Sequence, residues 1–91
     1  MSQVKFTTRN SKDQMIEVVG GWDNPLKGYH LTIFLLPDED VLWCNLDHFP
    51  FPGMAPSTEP LKKTLIEMDI NVPDGFWEKV ELKEGNTIHV F

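Results

Sequence analysis

A single cysteine stands in 91 residues, so no internal disulfide can form and a metal knuckle built on sulfur lacks its thiols. Such usage suits a reducing compartment, and the expectation is a cytoplasmic protein. Basic residues are also scarce, with 8 Lys and Arg against 14 Asp and Glu for a net charge of −6. Phosphate backbones and anionic lipid are bound through clustered cations that release counterions, so neither nucleic acid nor a membrane surface is an expected partner. No apolar run approaches the roughly 18 to 20 residues of a membrane span, and the opening MSQVKFTTRNSKDQ lacks the apolar centre of a secretory signal. Gly20-Gly21 leads into a proline turn and not into a helix, which leaves no loop to cradle a phosphate. Internal repeats and low-complexity stretches are lacking too.

What is there suffices for a folded core. Hydrophobic residues make up 41% and aromatic residues 11% of the chain, too much for a disordered segment. At 10.5 kDa, area scaling gives burial of about 64% of the unfolded surface, enough for one domain over residues 1–91 and too little for two.

Apolar and polar residues alternate from Val4 to Thr8 and again from Gln14 to Val19, with the turn formers Asn10 to Asp13 between them, which predicts a β-hairpin. The second strand is expected to end at Gly20-Gly21, with those glycines and Gly28 supplying positive φ around the turn Asp23-Asn24-Pro25-Leu26. Tyr29 to Leu36 is the strongest strand signal. Tyr29, Leu31, Ile33 and Leu35 share one face, and His30, Thr32, Phe34 and Leu36 the other. A short connection through Pro37 to Asp40 leads into a fourth strand, Val41 to Leu46. Four prolines between His48 and Pro60 then forbid regular structure. Ser57 or Thr58 caps the next helix, whose stripe of Leu61, Leu65 and Met68 is widened by Ile66 and Ile70. For residues 76–84 the pattern favours a second helix over a hairpin strand, with Phe76, Trp77 and Val80 inward and Gly85 as the stop. Thr87 to Phe91 closes the chain as a strand. The expected fold is α+β, an antiparallel sheet of four or five strands in the order β-β-β-β-α-α-β with two short helices on one face.

Covalent catalysis needs a nucleophile beside a base, which brings Cys44 together with His30, His48 or His89 for consideration. No turn presents Cys44, and its strand context reads as packing. Cys44, Asp47 and His48 match no common zinc spacing, and Asp38-Glu39-Asp40 lacks the central glycine and terminal glutamate of a calcium loop. No catalytic, cofactor or metal residue is therefore expected, and the protein is read as not an enzyme. Two features resist reduction to packing. Phe49, Phe51 and Met54 are interleaved with prolines, an arrangement that either covers a sheet face or offers apolar anchors to a partner. Between Lys27 and Lys62 no Lys or Arg occurs, while Asp38, Glu39, Asp40, Asp47 and Glu59 all fall there, so one side should be acidic.

The string Gly21-Trp22-Asp23-Asn24-Pro25-Leu26, followed by Tyr29-His30-Leu31-Thr32-Ile33 and later by Val41-Leu42-Trp43, resembles a group of small uncharacterised bacterial proteins, some carried on mobile elements, that share a Gly-Trp-Asp-x-Pro-Leu motif. The resemblance implies a bacterial origin and a compact α+β fold. It carries no functional residue across.

These readings converge on a small acidic cytoplasmic binding module, adaptor or inhibitor-like, for a basic protein partner. Trp22, Phe49, Phe51 and Met54 would be its apolar anchors, Asp38, Glu39 and Asp40 its steering charges, and Asp23 a contact beside Trp22. A different class of function, a small-molecule binder or weak hydrolase, would need a pocket between sheet and helices lined by Trp22, Trp43 and Trp77, with Asp23 and His30 converging into it. Ile88, Val90 and Phe91 at a sheet edge also invite pairing with a second copy, giving a homodimer through the C-terminal strand.

Overall fold

A computed structural model describes residues 2–23, 27–45, 55–82 and 88–91 of the chain. Strand β1 (Gln3–Arg9) turns into β2 (Met15–Asp23) through a loop organised by Asn10, whose Oδ1 accepts from Lys12 N at 2.9 Å and Gln14 N at 3.0 Å. Strand β3 (Gly28–Leu35) follows, and β4 (Asp40–Cys44) returns beside it. Helices α1 (Glu59–Glu67) and α2 (Phe76–Glu81) come next, and β5 (Ile88–Val90) ends the order. The five strands form one sheet, β4-β3-β2-β1-β5.

Element order, strand number and the placing of both helices on one face are as the sequence predicts. The sheet is mixed, though, because β5 joins β1 in parallel while the other pairings are antiparallel. Hairpin turns link neighbours head to tail, whereas the last strand arrives by way of two helices, and a crossover of that kind permits a parallel match.

Period-two alternation decides the faces. The registers Phe6↔Val18, Val18↔Ile33 and Gly20↔Leu31 stack the apolar set of three strands on the helix side. There Val4, Ile16, Val18, Leu31, Ile33, Leu61, Leu65, Phe76 and Val80 are all essentially inaccessible. Phe76 is the keystone, with Phe6 edge-on at 4.9 Å and Trp77 at 5.0 Å between ring centroids. Residues 76–81 are helical, entered from Gly75 at φ 89°, a conformation open to glycine at no steric cost.

Three local expectations are corrected. Strand β2 runs through Gly20-Gly21 to Asp23, and neither glycine has positive φ. Their role is close approach: a Cβ on Gly21 would lie 2.0 Å from Ser2 O and 2.7 Å from His30 Nε2, and one on Gly20 3.1 Å from the Phe76 ring. Thr58 does stand at the start of α1, but its hydroxyl makes no cap; it donates to Glu81 Oε1 at 2.6 Å, and Lys62 Nζ reaches the same oxygen at 3.3 Å, tying the two helices together. Ile66 is 76% exposed, since it lies about 100° around the helix from Leu65, while Ile70 is buried only because the chain turns at Asp69 (φ 59°) after the helix has ended.

Candidate functional site

The distinctive chemistry collects at the end of the sheet where β2 runs out and β3 begins. Trp22 and Tyr29 face each other across the two strands, with ring centroids 4.9 Å apart and planes at 63°. Both are at least nine-tenths buried within the core cluster, so Trp22 supports this corner from inside and is not the open anchor expected of it.

On the opposite sheet face lie Gly21, Asp23 and His30, by simple alternation from Trp22 and Tyr29. Ser2 clamps the group. Its amide donates to Trp22 O at 3.0 Å, and its hydroxyl accepts from Trp22 N at 2.9 Å. The Ser2 carbonyl in turn accepts from His30 Nε2 at 3.0 Å, which assigns the proton to Nε2. Burial pushes the His30 imidazole below its usual range; the Ser2 bond and the nearby Asp23 carboxylate oppose that shift without cancelling it. His30 is thus neutral at neutral pH. Asp23 is itself only 7% exposed, a buried member of the corner and no surface contact.

The outer edge of β3 at this corner is completed in an unusual way. Tyr29 N donates to Ala55 O at 2.8 Å, and Ala55 N donates to Tyr29 O at 2.9 Å, a one-residue bridge. Beside it the Asn45 side chain acts as a piece of strand, its Oδ1 accepting from Leu31 N at 2.9 Å and its Nδ2 donating to Tyr29 O at 3.2 Å. Asn45 is fully buried and Ala55 nearly so. Sequence reasoning missed both Asn45 and Ser2. The one available signal for Asn45 was a lone amide inside the apolar run Leu42 to Leu46.

Phe49, Phe51 and Met54, with Asp47 and His48, lie outside the described residues. The residues that flank them, Asn45 and Ala55, both hydrogen-bond to Tyr29. The steering charges stand elsewhere. Asp38 and Glu39 are exposed in the turn between β3 and β4, with Glu39 at φ 59°, and Asp40 is exposed at the start of β4. Six residue steps along β3 take Leu35 to Tyr29, or about 20 Å, so these acids sit at the other end of the hairpin from Trp22 and Asp23. Their apolar neighbours are Val41 and Leu42, 54% and 38% exposed.

The register also separates the pocket residues expected from sequence. Trp43 pairs with Ile33 on the helix side with Trp22, whereas His30 and Asp23 face away from the helices, so these side chains do not line one cavity. Shallow clefts are found among the described residues. One of about 280 Å³ lies among Phe6, Val72, Pro73 and Phe91, and one of about 230 Å³ among Ile16, Ile33, Leu42, Met68 and Ile70. Among the described residues no group of three or more His, Cys, Asp or Glu could hold a metal ion. The Cys44 sulfur takes a long contact of 3.6 Å from the Thr32 hydroxyl. Among the described residues no helix is long and apolar enough to cross a membrane. Comparison with known proteins finds no matching family model, no matching curated protein and no matching solved structure, so the reading of this corner rests on its own residues.

Proposed function

We propose that this protein is a small acidic binding module of the cytoplasm, an adaptor or inhibitor-like protein without catalytic activity, that holds a basic protein partner through the aromatic and proline-rich stretch from Phe49 to Pro56. The observation that carries this reading is the double attachment at Tyr29: Asn45, which precedes that stretch, and Ala55, near its end, are buried and hydrogen-bonded to the same strand residue. Anchoring residues beside a binding stretch is a general way to lower the ordering entropy that a partner must overcome. The exposed Asp38, Glu39 and Asp40 support a role in steering, as surface charges still act on encounter over a Debye length that reaches about 30 Å at low salt.

The double variant Phe49→Ser/Phe51→Ser tests it. If these rings meet a partner, the thermal midpoint stays within about 2 °C of the parent and proteins retained from a bacterial extract by the immobilised parent are lost. If they instead cover the sheet, each removal costs about 3 to 5 kcal/mol and the midpoint collapses; that outcome overturns the proposal.

A further inference from the structure

We propose that β5 joins two copies of this chain, antiparallel and across a two-fold axis, into one continuous sheet. This goes beyond the partner-binding reading and does not depend on it.

Strand β5 is the last in the order β4-β3-β2-β1-β5, and among the described residues β1 is its one neighbour. In a parallel ladder alternate residues turn their main-chain groups towards the neighbour. Phe91 N donates to Lys5 O at 2.8 Å, and Lys5 stands opposite Val90, so His89 and Phe91 face inward while Ile88 and Val90 direct their N–H and C=O groups outward. The side chains of the same strand are unusually open for their type: Ile88 is 66%, Val90 75% and Phe91 46% exposed. A row of outward main-chain groups beside exposed β-branched residues is a template for another strand.

Self-complementarity and charge select the occupant. With the axis at His89, Ile88 of each copy stands opposite Val90 of the other, and each such pair exchanges two hydrogen bonds, closing the contact with nothing left over. Each copy carries a net charge of −6, so two copies meet only where carboxylates do not oppose one another. The far edge, β4, fails this condition because Asp38 and Glu39 precede it and Asp40 begins it. Described residues along β5 and the adjoining part of β1 (Gln3, Val4, Lys5, and Ile88 to Phe91) include no carboxylate side chain.

Sedimentation equilibrium from about 10 μM to about 1 mM, a range that reads weak association, tests the pairing. The expected mass rises from 10.5 kDa towards twice that value and stops there. Val90→Pro removes an outward donor and leaves the β1–β5 bonds in place, so it should weaken association about tenfold or more at unchanged circular dichroism. Amide exchange of the unsubstituted protein gives a readout independent of any variant: Ile88 and Val90 become protected as concentration rises, while Phe91 is protected throughout. A mass that stays at 10.5 kDa at the top of the range overturns the proposal. So does a doubling that leaves the Ile88 and Val90 amides exchanging freely, and so does a mass that climbs past two copies.

Discussion

At the scale of single residues, His30 is a group whose titration the fold itself shifts. Its folded pKa is lowered, chiefly by burial, whereas in the unfolded chain it titrates near the ordinary value of 6.5. The unfolded state therefore binds the proton more readily. Stability from this residue is fully present above the unfolded pKa and is lost as pH falls through 6.5 towards the lower folded value. Urea midpoints should accordingly decline between pH 7.5 and pH 5. His30→Gln, which can still donate towards the Ser2 carbonyl but does not titrate, should flatten that decline; an equal slope in both proteins would refute the assignment. Glu81 enters at lower pH with the same sign. Its carboxyl is held below the usual range by the Thr58 hydroxyl and then by Lys62, so its contribution goes as pH falls below the unfolded carboxylate value. That loss loosens α1 from α2 and leaves the Ser2 corner alone.

At the scale of elements, the hairpin of β3 and β4 depends on a side chain taking the place of strand. Asn45 satisfies Leu31 N and adds a second donor to Tyr29 O where β4 has already ended. Asn45→Ala leaves the Leu31 amide buried without its acceptor, a loss of about 1 to 3 kcal/mol. The melting temperature should drop by roughly 5 to 20 °C for a chain of this size. Exchange of the Leu31 amide should quicken well beyond that of Ile16 or Val18, which distinguishes local loss of the bond from global weakening. An unchanged Leu31 amide would mean that the bond carries no load. What could be read from sequence follows the same division. Alternation in Val4 to Thr8, Ile16 to Val18 and Tyr29 to Leu35 reveals strands and their buried faces, because period two is a local property. Leu61 and Leu65 reveal the helix stripe for the like reason. The glycine pair inside β2, the parallel seat of β5 and the work of Asn45 are hidden, since each is decided by a residue distant in the chain: Ser2 and Phe76 for the glycines, Lys5 for β5, Leu31 for the amide. Of the candidate site, the motif around Trp22 and Asp23 suggested open anchors where the chain has buried residues.

At the scale of the whole molecule, an open-ended sheet has two edges, and the two differ in charge. Strand β5 is apolar along its outer side, while β4 emerges from three consecutive carboxylates at Asp38, Glu39 and Asp40. Placed edge to edge, two β4 strands would bring six acids into one contact, and like charges opposite each other in a ladder are destabilising. On the pairing proposed for β5, the acids would have a consequence of their own: assembly would stop at two copies because the remaining edges repel. Neutralising them as Asp38→Asn/Glu39→Gln/Asp40→Asn removes three charges from exposed turn and edge positions, so the fold and its melting temperature should hold to within a few degrees. Each copy would then present two acceptable edges, and the assembly should pass beyond a pair into longer strings, seen as light scattering that keeps rising with concentration where the parent levels off. High salt should push the parent in the same direction, because screening over about 3 Å at 1 M weakens the repulsion without altering any side chain. If the neutralised protein still halts at two copies, the block at β4 is steric and the acidic turn serves recognition alone.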